Sequence, residues 1–283
     1  MSDTNKVFAQ GWDDYELIDA GGNKKLERWG DIITIRPERQ AYFRSEIPFT
    51  EWEQKAHLIF EPSGKMTGKW KAINGAKEDL QWSISFKELK FQLSPTKFKH
   101  VGLFPEQRTN WDYIKQHLSK GDKMLNLFAY TGAASIVGRQ CGADVTHVDS
   151  VKQLITWARN NMEASGLDGI RWVHEDAMKF ALREVKRGKK YNCVIMDPPA
   201  WGIGAGKEKW KIEDQLPKLI RVAHDLLERK GTLILNTYSP KVDLKTIANH
   251  VNPIFDQFTL QELWMKTRTG KSMFHGHLLR AKK

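Results

Sequence analysis

Cysteine is scarce: the 283 residues hold two, Cys141 and Cys193, in unrelated contexts. Two isolated thiols exclude a disulfide framework and a cysteine-based zinc pattern, so no metal site is expected. No apolar run reaches the length of a membrane span, and the polar start MSDTNKVFAQ lacks the apolar stretch of a signal peptide. No membrane partner is therefore expected, and a reducing cytoplasm is the expected home. Internal repeats and low-complexity tracts are absent as well. Acid is in deficit, with 34 Asp and Glu against 45 Lys and Arg, a net charge of +11. That excess suits an anionic partner such as nucleic acid, although a plain solubility charge accounts for it equally well.

What is present divides into two textures. Residues 12–98 carry short runs of β-type residues punctuated by Gly, Pro and Asn. Strands are expected at Tyr15–Ile18, Asp31–Arg36, Ala56–Phe60, Gln81–Phe86 and Lys90–Leu93. Ala20-Gly21-Gly22-Asn23 and Ile73-Asn74-Gly75 read as hairpin turns, the second pairing Lys69-Trp70-Lys71 with the strand through Trp82. From about residue 100, strands and helices alternate. Expected strands at Lys123–Phe128, Asp144–Val148, Ile170–His174, Cys193–Met196 and Thr232–Asn236 are interleaved with helices, including Ile212–Arg229. Thr259–Lys266 and His275–Ala281 form a closing antiparallel pair. The expected fold is α/β, with a mostly parallel sheet flanked by helices. The expected domains are a small β-rich one over 1–99 and an α/β one over 100–283.

Four strand ends in the second region carry chemistry. The first runs into Phe128-Ala129-Tyr130-Thr131-Gly132, where a tight turn and close backbone approach are available. A dinucleotide site wants G-x-G-x-x-G, but Gly132 is the sole glycine in this turn. That disfavours a nicotinamide-dependent oxidoreductase and fits a nucleoside ligand without a pyrophosphate. The second strand ends at Asp149, placed as a ribose-binding acid is, about 20 residues past the first turn. The third closes with His174-Glu175-Asp176, and Asp176 can accept from an adenine amine. Asp149 and Asp176 each precede a helix, so taken singly either is equally well a helix cap. The fourth end is Asp197-Pro198-Pro199-Ala200-Trp201. Its prolines fix φ, donate no N–H and carry the chain out of the sheet as a stiff step. Ligands of open α/β sheets bind outside such carboxyl ends.

This order resembles class I S-adenosylmethionine-dependent methyltransferases over residues 100–283. More narrowly, the chain resembles the large-subunit ribosomal RNA methyltransferase-like group, in particular its shorter bacterial members without a PUA domain. The pieces that carry the likeness are YELIDAGGNKKLERWG, GLFPEQRTNW, LNLFAYTGAAS, HVDSVKQLITWARNNMEASGL, HEDAMKFA, DPPAWGIGAGKEKW and LILNTYS. The resemblance implies a Rossmann-like, seven-stranded sheet of order 3-2-1-4-5-7-6, S-adenosylmethionine as cofactor and ribosomal RNA as partner. It implies that Phe128, Tyr130, Thr131 and Gly132 hold the methionine end. Asp149, flanked by Ser150, would take the ribose hydroxyls, and Asp176 and Ala177 would meet the adenine. Asp197, Pro198 and Pro199 would form the catalytic step facing the sulfonium and substrate. Gln107 and Arg108 sit on the helix that often covers the cofactor in such proteins.

In related Asp/Asn-Pro-Pro-aromatic enzymes, the acid and a proline carbonyl hold an exocyclic amine while the aromatic stacks on a flipped base. Here Ala200 fills the aromatic position and Trp201 follows, so Trp201 is either the stacking residue or a packing residue. No cysteine follows the fifth strand, and Cys193 lies within a strand, which disfavours covalent C5 methylation of cytosine. N-methylation and other thiol-free routes stay open. Gly202–Trp210, with Lys207, fails the phosphate-loop pattern and reads as a lid over substrate or a plain loop. Residues 65–99 hold eight lysines, with Trp70, Trp82, Phe86, Phe91 and Phe98 interleaved. That combination suits single-stranded RNA, but aromatics at strand spacing equally suit a core. Methylation of a protein or small molecule, and a non-catalytic RNA-binding module with a relic pocket, are the competing functions.

Overall fold

A computed structural model describes residues 5–64, 67–203 and 209–283. Its elements begin with β1 (Lys6–Phe8), β2 (Tyr15–Gly21), β3 (Lys24–Trp29), β4 (Ile32–Pro37), α1 (Phe49–Lys55), β5 (Leu58–Pro62), β6 (Gly68–Ala72), β7 (Trp82–Phe86) and β8 (Leu89–Leu93). There follow α2 (Arg108–His117), β9 (Lys123–Leu127), α3 (Ala133–Gln140), β10 (Asp144–Asp149), α4 (Lys152–Ala164), β11 (Arg171–His174), α5 (Ala177–Lys186) and β12 (Tyr191–Met196). The last are β13 (Trp201–Ile203), β14 (Lys209–Lys211), α6 (Ile212–Leu226), β15 (Leu227–Thr237), α7 (Leu244–Val251), β16 (Gln257–Lys266) and β17 (Ser272–Lys282). Packing divides the chain into two compact units. One takes residues up to Val7, Thr109–Leu263 and Gly276–Lys283; the other takes Phe8–Arg108 and Trp264–His275. The texture of the sequence changes near residue 100, whereas the unit boundary falls after Arg108, and the tip of the last hairpin belongs with the β-rich unit.

The β-rich unit is built on a five-stranded sheet of order β2-β3-β4-β5-β6 and a separate β7-β8 pair. Gly22 and Asn23, at φ 55° and 60°, make the β2–β3 turn. Two successive left-handed residues are what a two-residue hairpin turn needs. The pairing expected around Lys69–Lys71 is not the one observed. β6 lies against β5, with Phe60 opposite Trp70, while Trp82–Phe86 pairs with Leu89–Leu93. The stretch Leu58–Pro62 offers β6 a partner whose large side chains match it. The interleaved aromatics are largely core: Trp70, Phe86 and Phe91 are buried and Phe98 alone among the five is exposed. Trp70 also gives its indole N–H to the carbonyls of Thr96 and Phe98. A stacking platform over residues 65–99 is therefore not formed by those rings.

The α/β unit is centred on a sheet of order β11-β10-β9-β12-β15-β17-β16, with the short β1 as an eighth strand at the edge beyond β16. β9, β10, β11, β12 and β15 run parallel, and β17 joins antiparallel. Helix α6 stops at Leu226 rather than Arg229, because β15 begins at once with Leu227 opposite Tyr191. Leu125, Leu127, Val194, Met196, Leu233 and Leu235 form the sheet's share of a core covered by α5, α6 and α7.

Candidate active site

Register brings the expected strand ends into one row. Leu127 lies beside both Val148 and Met196, Asp149 beside His174, and Met196 beside Leu235. The residues that leave this edge are Phe128, Ser150, Glu175 and Asp197, with Asp149 at the end of β10 and Asn236 next to the end of β15. In a parallel sheet this carboxyl edge is where ligand-binding loops collect.

The turn after β9 departs furthest from ordinary backbone. Phe128, Tyr130 and Gly132 have φ of 57°, 52° and 85°. A non-glycine residue in the left-handed region costs on the order of 1 kcal/mol or more and persists only where its surroundings hold it. Here four hydrogen bonds do so. The Ala129 N–H donates to Val148 and the Gly132 N–H to Ala129, both at 3.1 Å. The Tyr130 N–H donates to Asp149 Oδ2 at 2.9 Å, and Asn161 Nδ2 donates to the Thr131 carbonyl at 3.0 Å. Gly132 has a steric reason of its own: a Cβ there would stand 2.8 Å from the Cβ of Ala158 on α4. Its missing side chain thus makes room for α4.

Asp149 is 8% exposed. Its Oδ1 accepts from the Val151 N–H at 2.9 Å. Burial raises its pKa above the usual carboxylate value, opposed by hydrogen bonds from the amides of Val151, Tyr130 and Ser150. Ser150 is exposed, and its carbonyl lies 3.0 Å from His174 Nε2. Asp176 caps α5, its Oδ1 accepting from the Lys179 N–H at 2.8 Å, and Ala177 behind it is buried. The cap role is therefore present alongside any ligand role. At the fourth end Pro198 is buried, Pro199 exposed and Asp197 half-buried.

One residue the sequence reading passed over stands against this step. Trp210 donates its indole N–H to the Pro199 carbonyl at 2.7 Å, and its ring lies 5.2 Å from that of Phe128. It arrives there because β13 and β14 pair antiparallel, with Gly202 opposite Trp210. Trp201 is 48% exposed at the start of the same hairpin. The available signal was a tryptophan at each end of a glycine-rich stretch of sequence. Lys207 lies outside the described residues, and Gln107 and Arg108 belong to the β-rich unit. Behind the first turn, Asn126 Nδ2 donates to Ser135 Oγ at 2.9 Å, and Ser135 Oγ lies 3.0 Å from His147 Nδ1. Asn161 and this polar triad were not anticipated either. Their types do not mark them in the sequence, because polar residues on helices and strands are usually solvated.

Both thiols are poor nucleophiles. Burial pushes Cys193 up to about 12, with Asp122 adding to it, and burial likewise raises half-buried Cys141. Among the described residues no group of three or more His, Cys, Asp or Glu is placed to hold a metal ion. None of the described helices is long and apolar enough to cross a membrane.

Three comparisons bear on this site. Residues 48–251 match the family model of S-adenosylmethionine-dependent methyltransferases. The SAM-dependent methyltransferase structure from Agrobacterium tumefaciens is 34% identical, with a TM-score of 0.90 over 100% of this chain and 97% of that one. A more distant methyltransferase, solved with SAH, shares the fold at 19% identity and a TM-score of 0.74, over 93% of this chain and 72% of that one. Among curated proteins, the ribosomal RNA large subunit methyltransferase K/L of Shewanella baltica is 32% identical over 165 residues. That match takes in 56% of this chain but 23% of the relative, so the chain spans about a quarter of that protein's length.

Proposed function

This chain belongs to the S-adenosylmethionine-dependent methyltransferase family, and on that premise we propose that it methylates a base of ribosomal RNA without a cysteine nucleophile. The single observation that carries the reading is the pinned Phe128–Gly132 turn beside Asp149, in one row with Asp197-Pro198-Pro199. The residues present fit the cofactor. An ionised carboxylate offers about four acceptor positions, so the backbone amides on Asp149 leave capacity for a ribose hydroxyl. Asp176 has a second oxygen for an adenine amine, and Ala177 beside it presents no bulk. Phe128, Tyr130, Thr131 and Gly132 would hold the methionine end.

S-adenosylmethionine, when bound, supplies an electrophilic methyl group, so the chain's part is alignment more than acid–base chemistry. Asp197 accepts from an exocyclic amine of the target base and Pro198 holds its position, which orients the nitrogen lone pair. Trp201, with half its surface open, would stack on a flipped base, and Pro199 is held by Trp210. The buried Cys193 with its raised pKa supports a thiol-free route. The RNA assignment draws on the named activity of the Shewanella relative and on the charge of +11. The cytoplasm is the compartment that fits it.

The test is incubation with labelled S-adenosylmethionine and ribosomal RNA from a strain lacking the protein, followed by nucleoside mass spectrometry. One methylated nucleoside should appear. Asp197→Ala should lower its formation about 100-fold or more while SAH binding persists, since one oriented donor–acceptor pair contributes that much. Label entering protein or small molecules, and no RNA, would overturn the substrate assignment.

A further inference from the structure

One cavity is lined wholly by residues of the β-rich unit. It is a cavity of about 530 Å³, within the range of small-molecule sites. Its wall carries four cations, Arg28, Arg108, Lys266 and Arg268, against two acids, Asp13 and Glu16. Glu16 is shared: Arg268 Nη1 lies 3.0 Å from it and Arg28 Nε 3.9 Å. Arg28 is further fixed by donating to the Asp13 carbonyl at 2.8 Å and the Gly30 carbonyl at 3.2 Å. One carboxylate thus stands between two guanidinium groups, and the lining keeps a positive excess.

The wall is also shaped around a cation. The Arg108 guanidinium lies 5.8 Å from the Phe86 ring centre. Gly11 also stands against it, at φ 74°, where a Cβ would come 3.2 Å from Arg108 Nη1. Glycine there satisfies a left-handed backbone and leaves the guanidinium its place. The Trp12 ring packs edge-on to Phe86 at 5.4 Å, and its indole N–H is given to the Ser85 carbonyl, so this wall is fixed. Rigid guanidinium groups on a preformed wall suit an anion with several acceptor oxygens.

We propose that this cavity is a phosphodiester-binding subsite for the RNA substrate, using Arg108 and Arg268 as its principal contacts with Lys266 at the mouth. The proposal rests on the RNA reading above and deepens it: the β-rich unit grips the backbone of the RNA whose base the α/β unit methylates. Phosphate contacts of this kind position a substrate and carry no base sequence.

The experiment measures binding of a short labelled oligoribonucleotide to the full chain across a salt series, without S-adenosylmethionine. Each lost phosphate contact should reduce the log–log salt slope by somewhat under one unit on single strands. Arg268→Gln and Arg108→Gln should each weaken binding about 10-fold at low salt and flatten the slope. SAH thermal shift should stay as in the parent in Arg268→Gln, a residue with no part in the cofactor site. Lys266→Gln, at an exposed position, guards against a folding defect at Arg108 and should act in the same direction. Unchanged affinity and slope in all three variants would overturn the subsite. AMP binding lost in the variants, with RNA affinity unchanged, would also overturn it, in favour of a mononucleotide site. The RNA reading is judged separately, by methyl incorporation in the unmodified protein. Incorporation with unaffected variants sinks only the subsite, whereas no incorporation into any RNA sinks the substrate reading itself.

Discussion

At the residue scale, Gly132 separates two explanations that are usually merged. Its φ of 85° disfavours any side chain, and the 2.8 Å approach to Ala158 would obstruct one as well. Gly132→Ala should therefore destabilise the protein by about 2 kcal/mol, combining backbone strain with overpacking. A second substitution divides the two terms. Ala158→Gly opens the contact but does nothing for φ, and alone costs about 1 kcal/mol as a helix glycine. The double variant should consequently be more stable than the sum of the single effects, by the part that is steric. Urea unfolding of the four proteins measures this. Strict additivity would show that Ala158 does not set the requirement, and that conformation alone does. SAH affinity should fall in Gly132→Ala, because the same turn carries Tyr130 and Thr131.

At the element scale, the β13–β14 hairpin acts as a latch on the proline step. Trp210→Phe keeps a ring against Phe128 but removes the hydrogen bond to the Pro199 carbonyl. A turnover loss of about 10-fold is expected, since a modest misplacement of a positioning group costs at least that much. Trp210→Ala should lose more, and SAH binding should persist in both. Full turnover in both variants would mean that the hairpin is not the latch. This element was the least legible in the sequence, because three-residue strands leave no periodicity. The parallel strands were legible because burial on both faces makes them continuous apolar runs. The polar strand Lys24–Trp29 was not, for a physical reason. Its Glu27 is fully buried, yet accepts from Arg36 Nε at 2.6 Å and from the Tyr15 hydroxyl at 2.8 Å. An ion network in the interior gives a core strand the composition of a surface one. Helix Phe49–Lys55 was hidden by its seven residues and the Pro48 before it, although Trp52 on it is fully buried. The strand-end acids were readable from spacing, whereas Asn161, Trp210 and the Asn126–Ser135–His147 triad needed the fold.

At the scale of the whole molecule, the buried titratable groups favour a neutral medium. Burial pushes His147 in the α/β unit down to about 3. His100 in the β-rich unit is also pushed down to about 3, by burial and then by Arg36, Lys99 and Lys25. Below the ordinary histidine value near 6.5 the unfolded chain takes up protons that the folded chain refuses, so stability falls with pH from about 6.5 towards 3. Glu27 and Glu38 act in the same sense at lower pH. Burial raises each, but Arg36 and Lys25 at Glu27, and Lys25 and Lys99 at Glu38, prevail and bring both to about 2. Their stabilisation is present above about 4.5 and is lost as pH falls towards 2. Asp149 runs the other way, since its raised pKa makes its ionised form a cost that acid relieves. Between pH 7.5 and 5.5 the histidines dominate, and each should remove about 1.4 kcal/mol per pH unit below 6.5. Urea unfolding at the two pH values should show the loss in the parent protein. His147→Gln and His100→Gln should each show a smaller pH dependence, whatever their stability at pH 7.5. A parent protein equally stable at both values would mean that these histidines are not held neutral by the fold.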